Sequence, residues 1–545
     1  MKVLAIIPAR GGSKGIPRKN LRPVSGKPML FYSIDACLAS SYIDKIIVST
    51  DDDEIALFAE RFGAEAYLRP ISLADDKTPL EPVIYDALLK IEQKYNETYD
   101  LIITVQPTSP LIQRTDIDKV IEKFKGNKFD TVQTVVDDRH LCWTVDNGKA
   151  KPMYKARVNR QLLPINYRET GAVIACTRQQ IHSGSRIGDN VGLVEVPQSR
   201  SFDIDNFSDL YLCEAMLNRK KIVFTVVGYA EVGLGHAFRT VMLAHELVNY
   251  DLIFVCEKES NLAYEYIQSH HYEVISCDKG QLAETVISLS PDMVINDILD
   301  TDESYIKKFI KKNIKVVNFE DLGSGHLEAD LVVNALYPET KKMDHVLTGE
   351  KYFCVRDEFL YIKKKENKSE INNILLTFGG VDEGNLTTKV LFSIANICIE
   401  NNVSVTIVLG PGFIHDIELN RVITQLTELD VKLFKKTKRI SDFMNNADIA
   451  ITSGGRTVLE LATLEIPTLV ICQNERETTH SFASNKNGVV NLGNRKDISE
   501  NEISIAFNEI FTNKKLREEM ISKMKALDLT KGKQRVINAV ISLIQ

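Results

Sequence analysis

Residues 3–20 read VLAIIPARGGSKGIPRKN, and this stretch decides the fold of the N-terminal part of the chain. A short apolar run ends at Pro8 and predicts a buried strand, after which comes a loop rich in glycine and basic residues. Glycine lets backbone N–H groups approach a bound anion, and lysine and arginine add full positive charges. The loop contains neither the GxxxxGK[ST] string of the P-loop nor the GxGxxG string of dinucleotide-binding folds. A strand that leads into a loop of this composition predicts a nucleotide triphosphate site.

The composition limits the classes of protein to which the chain can belong. Its 545 residues are too many for one core, and 44% hydrophobic and 26% charged residues are ordinary values for globular domains. A net charge of −7 gives no basic footprint for nucleic acid or for an anionic membrane. No segment resembles a signal peptide or reaches the ~18 apolar residues of a membrane helix. The nine scattered cysteines indicate buried free thiols, so we expect a reducing, cytoplasmic location.

Strand patterns alternate with helical patterns along the whole chain, which predicts α/β domains with mainly parallel sheets. A new strand follows the Asn-Arg-Lys-Lys run at residues 218–221, so we expect two domains, 1–220 and 221–545. A charged stretch at residues 363–369 divides the second domain into lobes of about 221–368 and 369–545. The predicted strands are Val3–Ala9, Lys45–Ser49, Leu101–Gln106, Thr131–Val136, Gly171–Thr177, Val191–Val196, Ile222–Val227, Leu252–Cys256, Met293–Asn296, Val316–Phe319, Leu331–Asn334, Ile374–Phe378, Val405–Leu409, Ile449–Thr452 and Thr468–Ile471.

The opening loop resembles the N-terminal signature of the CMP-sialic acid synthetases, or acylneuraminate cytidylyltransferases. The matching residues are Ala9, Arg10, Ser13, Lys14, Lys19 and Asn20. Five further segments match in order along the first domain: 49–52, 69–70 with 78–79, 106–110, 160–172 and 203–205. The resemblance implies a Rossmann-like nucleotidyltransferase (GT-A-like) domain. It also implies transfer of CMP from CTP to a nine-carbon α-keto sugar acid, with release of pyrophosphate.

The resemblance also assigns roles to individual residues. Arg10, Ser13, Lys14 and Lys19 would cradle the phosphates, with Arg10 and Lys19 as catalytic candidates, and Asn20 and Arg69 would hold the nucleotide. Gln106 and Arg160, with Arg168 next, would bind the sugar and its carboxylate. Asp203 and Asp205 lie two residues apart, so on an extended strand both would face the same side. Two carboxylates on one face suit Mg²⁺ bridged to phosphate oxygens.

The second domain opens with a strand, a glycine-rich loop and a helix, and residues 228–239 contain the element GxGHxxR. This element resembles the flagellin-sugar hydrolase of pseudaminic acid synthesis and, more distantly, the MurG-type glycosyltransferases. The hydrolase resemblance implies a two-lobed, GT-B-like fold and cleavage of UDP from a UDP-linked 2,4-diacetamido-trideoxyhexose. It makes His236 the base that activates water.

The second lobe carries two more glycine-rich segments that follow strands, Phe378–Asp382 and Thr452–Glu460. By the same resemblance they form the nucleotide-sugar site, with Glu460 accepting hydrogen bonds from the ribose hydroxyls. Asp297, Asp321 and Asn334 end strands of the first lobe, where lining the cleft and a purely structural role are equally good interpretations. The predicted nucleotide-binding residues of this lobe are Gly379, Gly380, Gly454, Gly455, Thr457 and Glu460.

Together these patterns predict a bifunctional enzyme of nonulosonic acid biosynthesis whose partners are CTP, a nine-carbon sugar acid, a UDP-sugar and Mg²⁺. The hydrolase resemblance indicates pseudaminic acid, whereas RQLLPINYRETGA at residues 160–172 is closer to sialic or legionaminic acid enzymes. The second domain remains open to a MurG-like glycosyltransferase or an inactive nucleotide-sugar-binding module, and the first to an octulosonate substrate. The synthetases commonly dimerise through an inserted element, so we expect a homodimer formed by Asp138–Pro164.

Overall fold

In the computed structural model the chain forms two compact units, Met1–Arg219 and Lys220–Gln545. The structure describes residues 1–13, 15–75, 77–126, 128–229, 232–338, 343–365, 370–435, 437 and 439–544. Both units are built from sheets covered by helices, which confirms the predicted α/β class.

The first unit contains one large sheet, a small two-stranded ribbon and an exposed hairpin. Its strands are β1 (Val3–Pro8), β2 (Pro23–Val24), β3 (Lys27–Pro28), β4 (Lys45–Thr50), β5 (Glu65–Leu68), β6 (Leu101–Val105), β7 (Thr131–Asp137), β8 (Trp143–Asp146), β9 (Lys149–Pro152), β10 (Tyr167–Thr177) and β11 (Val191–Glu195). Its helices are α1 (Met29–Leu38), α2 (Asp53–Arg61), α3 (Leu80–Tyr95), α4 (Arg114–Lys123) and α5 (Phe207–Leu217).

The large sheet has the order β11-β7-β10-β6-β1-β4-β5, and only β10 runs antiparallel to its neighbours within the described residues. The alternating residues of β1 enter hydrophobic clusters on the two faces of the sheet, which explains its unbroken apolar run. From β1 the chain continues to β4 on one side and later to β6 on the other. The carboxyl end of β1 therefore lies at a topological switch point, where ligands bind in open α/β sheets.

The hairpin of β8 and β9 lies outside the large sheet, and all of its residues are exposed. It falls within the segment 138–164 that breaks the strand–helix alternation in the sequence. Apolar side chains of this segment are open to solvent, and Trp143 and Val145 are 57% and 73% exposed.

The first lobe of the second unit is a parallel sheet of order β14-β13-β12-β15-β16-β17-β18. Its strands are β12 (Lys221–Val226), β13 (Asp251–Glu257), β14 (Val274–Cys277), β15 (Met293–Asp297), β16 (Lys315–Phe319), β17 (Leu331–Asn334) and β18 (Val346–Thr348). Its helices are α6 (Gly235–Glu246), α7 (Asn261–Ser269), α8 (Leu282–Ser288), α9 (Glu303–Ile310) and, leading to the second lobe, α10 (Asp357–Tyr361).

The second lobe is a parallel sheet of order β21-β20-β19-β22-β23-β24. Its strands are β19 (Asn373–Thr377), β20 (Ser404–Leu409), β21 (Val431–Lys435), β22 (Ile449–Thr452), β23 (Thr468–Cys472) and β24 (Val489–Asn494). The helices after α10 are α11 (Leu386–Glu400), α12 (Asp416–Gln425), α13 (Ile440–Asn446), α14 (Thr457–Thr463), α15 (Glu475–Thr478), α16 (Glu500–Thr512), α17 (Lys514–Lys525) and α18 (Gly532–Ile541).

The last helix does not belong to the second lobe, contrary to the predicted lobe boundary. Val536, Ile537 and Val540 of α18 are buried in the same hydrophobic cluster as Ile222 and Phe224 of β12. The amphipathic pattern of α18 thus finds its apolar partner in the first lobe, and the chain crosses between the lobes twice.

The helices of both units pack on the faces of these sheets. None of those in the part of the chain that the structure describes has the length and apolar character needed to span a lipid bilayer.

Candidate active sites

The loop that follows β1 is fastened to the ends of neighbouring strands. Asp51, just after β4, accepts hydrogen bonds from the Gly11 amide at 3.2 Å and from Arg69 Nη2 at 3.4 Å. The side-chain amide of Asn20 donates to the carbonyl oxygen of Arg10 at 2.9 Å. These contacts hold the basic loop over the carboxyl end of the sheet and bring three of the predicted nucleotide-binding residues, Arg10, Asn20 and Arg69, together.

Arg69 is buried near the carboxyl end of the sheet, where the described residues also include polar atoms without hydrogen-bond partners. Burial lowers the pKa of Arg69, Asp51 opposes that change, and repulsion from nearby Arg10 adds to it. Among the described residues, Arg69 Nε, Ser49 Oγ at the end of β4 and Ser109 Oγ after β6 are buried without a hydrogen-bond partner. Buried polar atoms are nearly always paired in native structures. The two neighbouring guanidinium groups, one of which has a donor that no described residue uses, favour an anionic ligand at this end of the sheet.

Lys19 contacts the acidic segment before α5. Its Nζ lies 3.3 Å from Asp205 Oδ1, and the side chains are 12% and 77% exposed. Asp203 keeps an exposed surface, yet loss of water around its carboxyl group, with a smaller repulsion from Asp205, raises its pKa. Residues 203–205 lie outside the strands of the sheet, and the shared facing of the two aspartates stays a prediction. A capping box at Asn206 ends this irregular segment and starts α5.

The two aspartates fit a Mg²⁺ ion of the kind that accompanies nucleotides. Mg²⁺ at such sites takes one or two carboxylates, and phosphate oxygens and water complete its shell. Burial is the main cause of the raised pKa of Asp203, and repulsion from Asp205 adds a smaller part, which a cation between the two carboxylates would relieve. No cluster of three or more His, Cys, Asp or Glu side chains suited to a metal occurs in the described ranges, and this pair does not require one.

Gly15 of the basic loop packs closely on the same segment. A Cβ built on Gly15 would lie 2.5 Å from the carbonyl oxygen of Asp205, so only glycine fits there without a shift of the backbone. Ser13 is half-buried in the loop. Lys14 lies outside the described residues, and its role remains a prediction.

Gln106, a predicted sugar-binding residue, lies just after β6 at the carboxyl edge of the sheet. Its backbone amide donates to the carbonyl oxygen of Ala172 at 2.9 Å, and its own carbonyl accepts from Ser33 Oγ at 3.2 Å. The backbone is therefore fixed at this end of the sheet, and the side-chain amide is not used by these bonds.

The two predicted sugar-binding arginines lie beside acidic residues at the end of β7. Arg168 Nε is 3.6 Å from Asp138 Oδ2. Arg160 begins an exposed 3₁₀ turn and, after Arg139, helps to lower the pKa of Asp137. The structure therefore places these arginines with Asp137 and Asp138, and their contact with a sugar acid remains a prediction.

The second unit contains a buried carboxylate that orients a histidine. His236, in the first turn of α6, lies with Nδ1 2.5 Å from Asp297 Oδ1 at the end of β15. Arg239 donates to both oxygens of Asp297, from Nε at 2.7 Å and from Nη2 at 2.6 Å. Burial acts to raise the pKa of Asp297, but Arg239 and His236 outweigh it and hold that pKa at about 2. An ionised carboxylate only accepts hydrogen bonds, so in the neutral ring His236 Nδ1 carries the proton and Nε2 is the acceptor.

Glu320 is a second buried acid that binds Arg239. Arg239 Nη1 donates to Glu320 Oε1 at 3.0 Å, so one guanidinium joins two buried acids. Burial raises the pKa of Glu320, and Arg239 opposes that change. Shared between Asp297 and Glu320, the Arg239 side chain is held in one orientation and fixes the Asp297 carboxylate that faces His236.

Glycine-rich loops from both lobes meet in the cleft of the second unit. A Cβ built on Gly380 would lie 3.9 Å from Cα of Gly233, and one built on Gly235 would lie 3.5 Å from Cδ of Arg456. Gly379 has a φ of 75°, which glycine adopts without strain. The loops after β12, β19 and β22 thus come together at the switch points of the two sheets, where a bound ligand is expected.

The other predicted nucleotide-binding residues are engaged by internal partners. The Gly454 amide donates to Glu477 Oε2 at 3.1 Å, and a Cβ on Gly455 would lie 3.4 Å from Glu477 Oε1. Thr457 is the first residue of α14, as the pattern indicated. Glu460 is buried and accepts from Arg356 Nε at 2.8 Å and Nη2 at 3.0 Å. Each Glu460 oxygen keeps a further lone pair, so its contact with ribose remains a prediction.

Asp321 and Asn334, which the sequence left between two interpretations, are buried and bonded to each other. The Asn334 side chain donates to the carbonyl oxygen of Asp321 and accepts from its amide, at 2.9 and 3.0 Å. The Asp321 carboxylate accepts from the Thr301 hydroxyl at 2.6 Å and from the Asn318 amide at 2.6 Å. Their polar atoms hold the strand ends together, whereas Asp297 faces the histidine.

Two site residues escaped the sequence analysis. Arg239 lies three residues after His236, a spacing that places both side chains on one helix face, and this signal was present in GxGHxxR. Asp51 was part of a matched segment, but only the structure shows that it ties Gly11 to Arg69.

Comparison with known proteins agrees with the division into two units. A family model described as cytidylyltransferase matches residues 4–171, and one described as glycosyltransferase family 28 C-terminal domain matches residues 374–536. The CMP-N,N'-diacetyllegionaminic acid synthase of Legionella pneumophila is 32% identical over 234 residues, which cover 41% of this chain and 100% of that protein. The chain belongs to the cytidylyltransferase family.

Two further relatives of the chain are matched only in part. The pseudaminic acid cytidylyltransferase of Campylobacter jejuni is 41% identical over 129 residues, which cover 24% of this chain and 55% of that protein. An uncharacterised protein of Methanocaldococcus jannaschii is 31% identical over 274 residues, which cover 47% of this chain and 56% of that protein. The chain thus spans little more than half the length of these two relatives.

The second unit is similar to a different group of proteins. Its second lobe carries the glycosyltransferase family 28 C-terminal domain. The MurG structure of Acinetobacter baumannii covers 59% of this chain and 99% of its own, with a TM-score of 0.45 and 14% identity.

The position of Lys19 gives a first test of the N-terminal site. We expect Lys19→Ala to lower CMP transfer from CTP by at least about 100-fold, because removal of one preorganised charge from a phosphoryl-transfer site has effects of this order. The thermal midpoint should stay within a few degrees of wild type. Turnover is measured as pyrophosphate release, with Lys90→Ala on the exposed face of α3 as the matched control. Near-normal turnover of the Lys19 variant would remove it from the phosphate site.

Proposed function

We propose that the first unit transfers CMP from CTP to the anomeric hydroxyl of a nine-carbon α-keto sugar acid and releases pyrophosphate. The observation that carries this proposal is the match to the whole length of a CMP-N,N'-diacetyllegionaminic acid synthase. The carboxyl end of β1, with Arg10, Arg69 and Lys19 around it, supplies the positive charge that such a reaction needs.

In this reaction the oxygen of the anomeric hydroxyl attacks the α-phosphorus of CTP. The bond from that phosphorus to the bridging oxygen breaks, pyrophosphate leaves with the bonding electrons, and the hydroxyl proton passes to solvent. Arg10 and Lys19 stabilise negative charge on the phosphoryl oxygens because they are positioned before the reaction begins. Mg²⁺ held by Asp203 and Asp205 would add charge neutralisation when bound.

The sugar acid is of the sialic, legionaminic or pseudaminic type. Two relatives are named for legionaminic and pseudaminic acids, and both match the first unit at more than 30% identity. Gln106, Arg160 and Arg168 are proposed to bind the sugar and its carboxylate, and a cation paired with amide donors suits that group.

Pyrophosphate release with different acceptors tests the first proposal. Purified protein with CTP and Mg²⁺ is offered sialic, legionaminic and pseudaminic acids and an eight-carbon octulosonate in separate reactions. We expect turnover with one nine-carbon acid and at most trace turnover with octulosonate, because the opening loop matches the nine-carbon enzymes. Efficient turnover of octulosonate alone would overturn the choice of substrate.

For the second unit we propose hydrolysis of a UDP-linked diacetamido-trideoxyhexose to UDP and free sugar. The carrying observation is the His236–Asp297 contact at 2.5 Å, which leaves Nε2 of His236 as a base beside the glycine-rich loops. Nε2 takes a proton from water while the water oxygen attacks C1 of the sugar. The C1–oxygen bond breaks, and UDP leaves with the bonding electrons.

A second candidate function is transfer of the sugar to an acceptor other than water, in the manner of MurG. The match to the glycosyltransferase family 28 C-terminal domain favours it. In that reaction His236 would take its proton from an acceptor hydroxyl group. Release of UDP in the absence of any acceptor separates the two candidates.

Variants of the histidine and its partner test the proposed base. We expect His236→Ala and Asp297→Asn to lower UDP release by about 10²–10⁴-fold, the usual contribution of a positioned general base. Asp297→Asn removes the charge that fixes the ring, so it should act mainly on kcat. The control is His245→Gln, at the other, exposed end of α6. A His236→Ala enzyme as fast as wild type would favour a binding module without this chemistry.

We also propose that the chain forms a homodimer through the hairpin of β8 and β9 in the first unit. A hairpin outside the sheet with exposed Trp143 and Val145 has apolar surface available for a second copy. Light scattering should give about twice 61.4 kDa for the wild-type chain. Val145→Asp should give the single-chain mass, whereas Ile505→Asp, on exposed α16, should not. A wild-type monomer at micromolar concentration would refute the dimer.

A further inference from the structure

Arg456, at the start of α14, is a cation whose nearest partners are not carboxylates. Its Nη2 donates to the carbonyl oxygen of Cys354 at 3.2 Å, and its guanidinium lies 4.8 Å from the centre of the Phe353 ring. Although part of the residue is accessible, burial of the guanidinium, with repulsion from Arg239, lowers its pKa to about 10. It therefore stays charged at neutral pH in an environment that disfavours the charge.

The other arginines of the cleft have acidic partners. Arg239 is bonded to Asp297 and Glu320, and Arg356 is bonded to Glu460. Within the ranges that the structure describes, no carboxylate lies at ion-pair distance from Arg456. A buried charge without a counter-ion is costly, so its retention requires an explanation.

The segment 452–456 also contains polar atoms that have no hydrogen-bond partner among the described residues. In the described part of the chain, Arg456 Nη1 and Thr452 Oγ1 at the end of β22 are buried and have no hydrogen-bond partner. Arg456 Cδ also packs against Gly235, next to His236. The unused guanidinium donor thus belongs to a side chain that reaches from the second lobe to the loop carrying the proposed base.

We propose that Arg456 binds the diphosphate of the nucleotide-sugar and neutralises the charge on UDP as it leaves. This inference rests on the proposed function of the second unit, which needs a cation near the breaking C1–oxygen bond. As that bond breaks, the electron pair goes to the β-phosphate oxygen, and a guanidinium donor already in place stabilises it. The ligand class is therefore a nucleoside diphosphate, recognised through its phosphates.

The test compares ligands that differ only in their phosphates. Calorimetry measures binding of UDP, UMP and uridine to the full chain carrying Arg456→Gln or Arg456→Lys, with Arg439→Gln, an exposed arginine paired with Asp442, as control. We expect Arg456→Gln to weaken UDP binding roughly 10- to 100-fold, as loss of a charge-assisted hydrogen bond does, and to leave uridine binding unchanged. Arg456→Lys keeps the charge without the planar fork, so it should recover part of the loss.

Each outcome supports or overturns the assignment. Equal UDP affinity in wild type and Arg456→Gln overturns it, and so does an equal loss for UDP and uridine, which would indicate a structural role. If Arg456→Gln does not fold, Arg456→Lys decides: UDP binding weakened relative to uridine supports the assignment, and unchanged UDP binding overturns it. Wild-type protein that binds UDP but releases none from a UDP-sugar would refute the proposed hydrolysis, yet leave the diphosphate site standing.

Discussion

Each of the three large sheets is organised around its first strand, which lies buried in the interior with later strands on both sides. β1 lies between β4 and β6, β12 between β13 and β15, and β19 between β20 and β22. The chain must leave each central strand in one direction and return in the other, so a crevice opens at its carboxyl end. The basic loop after β1 and the glycine-rich loops of the second unit all begin at these crevices. The positions of the candidate sites follow from this one constraint.

In these crevices, the free-energy cost of burying a charge determines which side chains lie next to one another. A buried carboxylate such as Asp297 costs several kcal/mol unless charged or hydrogen-bonded partners surround it. Arg239 and His236 supply those partners, and Glu320 fixes Arg239 in turn. Asp51 has the corresponding role in the first unit, where it accepts hydrogen bonds from Arg69 and from the amide of Gly11. In both units an acid that is buried, as Asp297 is, or half-buried, as Asp51 is, orients the groups that would contact ligand.

The sequence predicted the central strands of the sheets better than the edge strands. All predicted strands exist, because strands buried on both faces are written as unbroken apolar runs. The large-sheet strands that were missed, β5, β14, β18, β21 and β24, all lie at sheet edges, where one side is open and several residues are only partly buried. The loop residues Arg10, Asn20 and His236 were located because motifs are local. Asp297 as the partner of His236, 61 positions away, required the fold. So did the contact of Lys19 with Asp205, 186 positions away.

The return of α18 to the first lobe bears on how the second unit is made. The lobe that carries His236 is translated first, yet its hydrophobic core includes Val536, Ile537 and Val540. During synthesis from the N-terminus, that core lacks these three side chains until α18 has emerged from the ribosome. Until then, the apolar surface around β12 lacks the helix that covers it. The elements of the second lobe, up to α17, have been synthesised by that time and can already pack. The first lobe of this unit can therefore complete its core only after the second lobe has been synthesised.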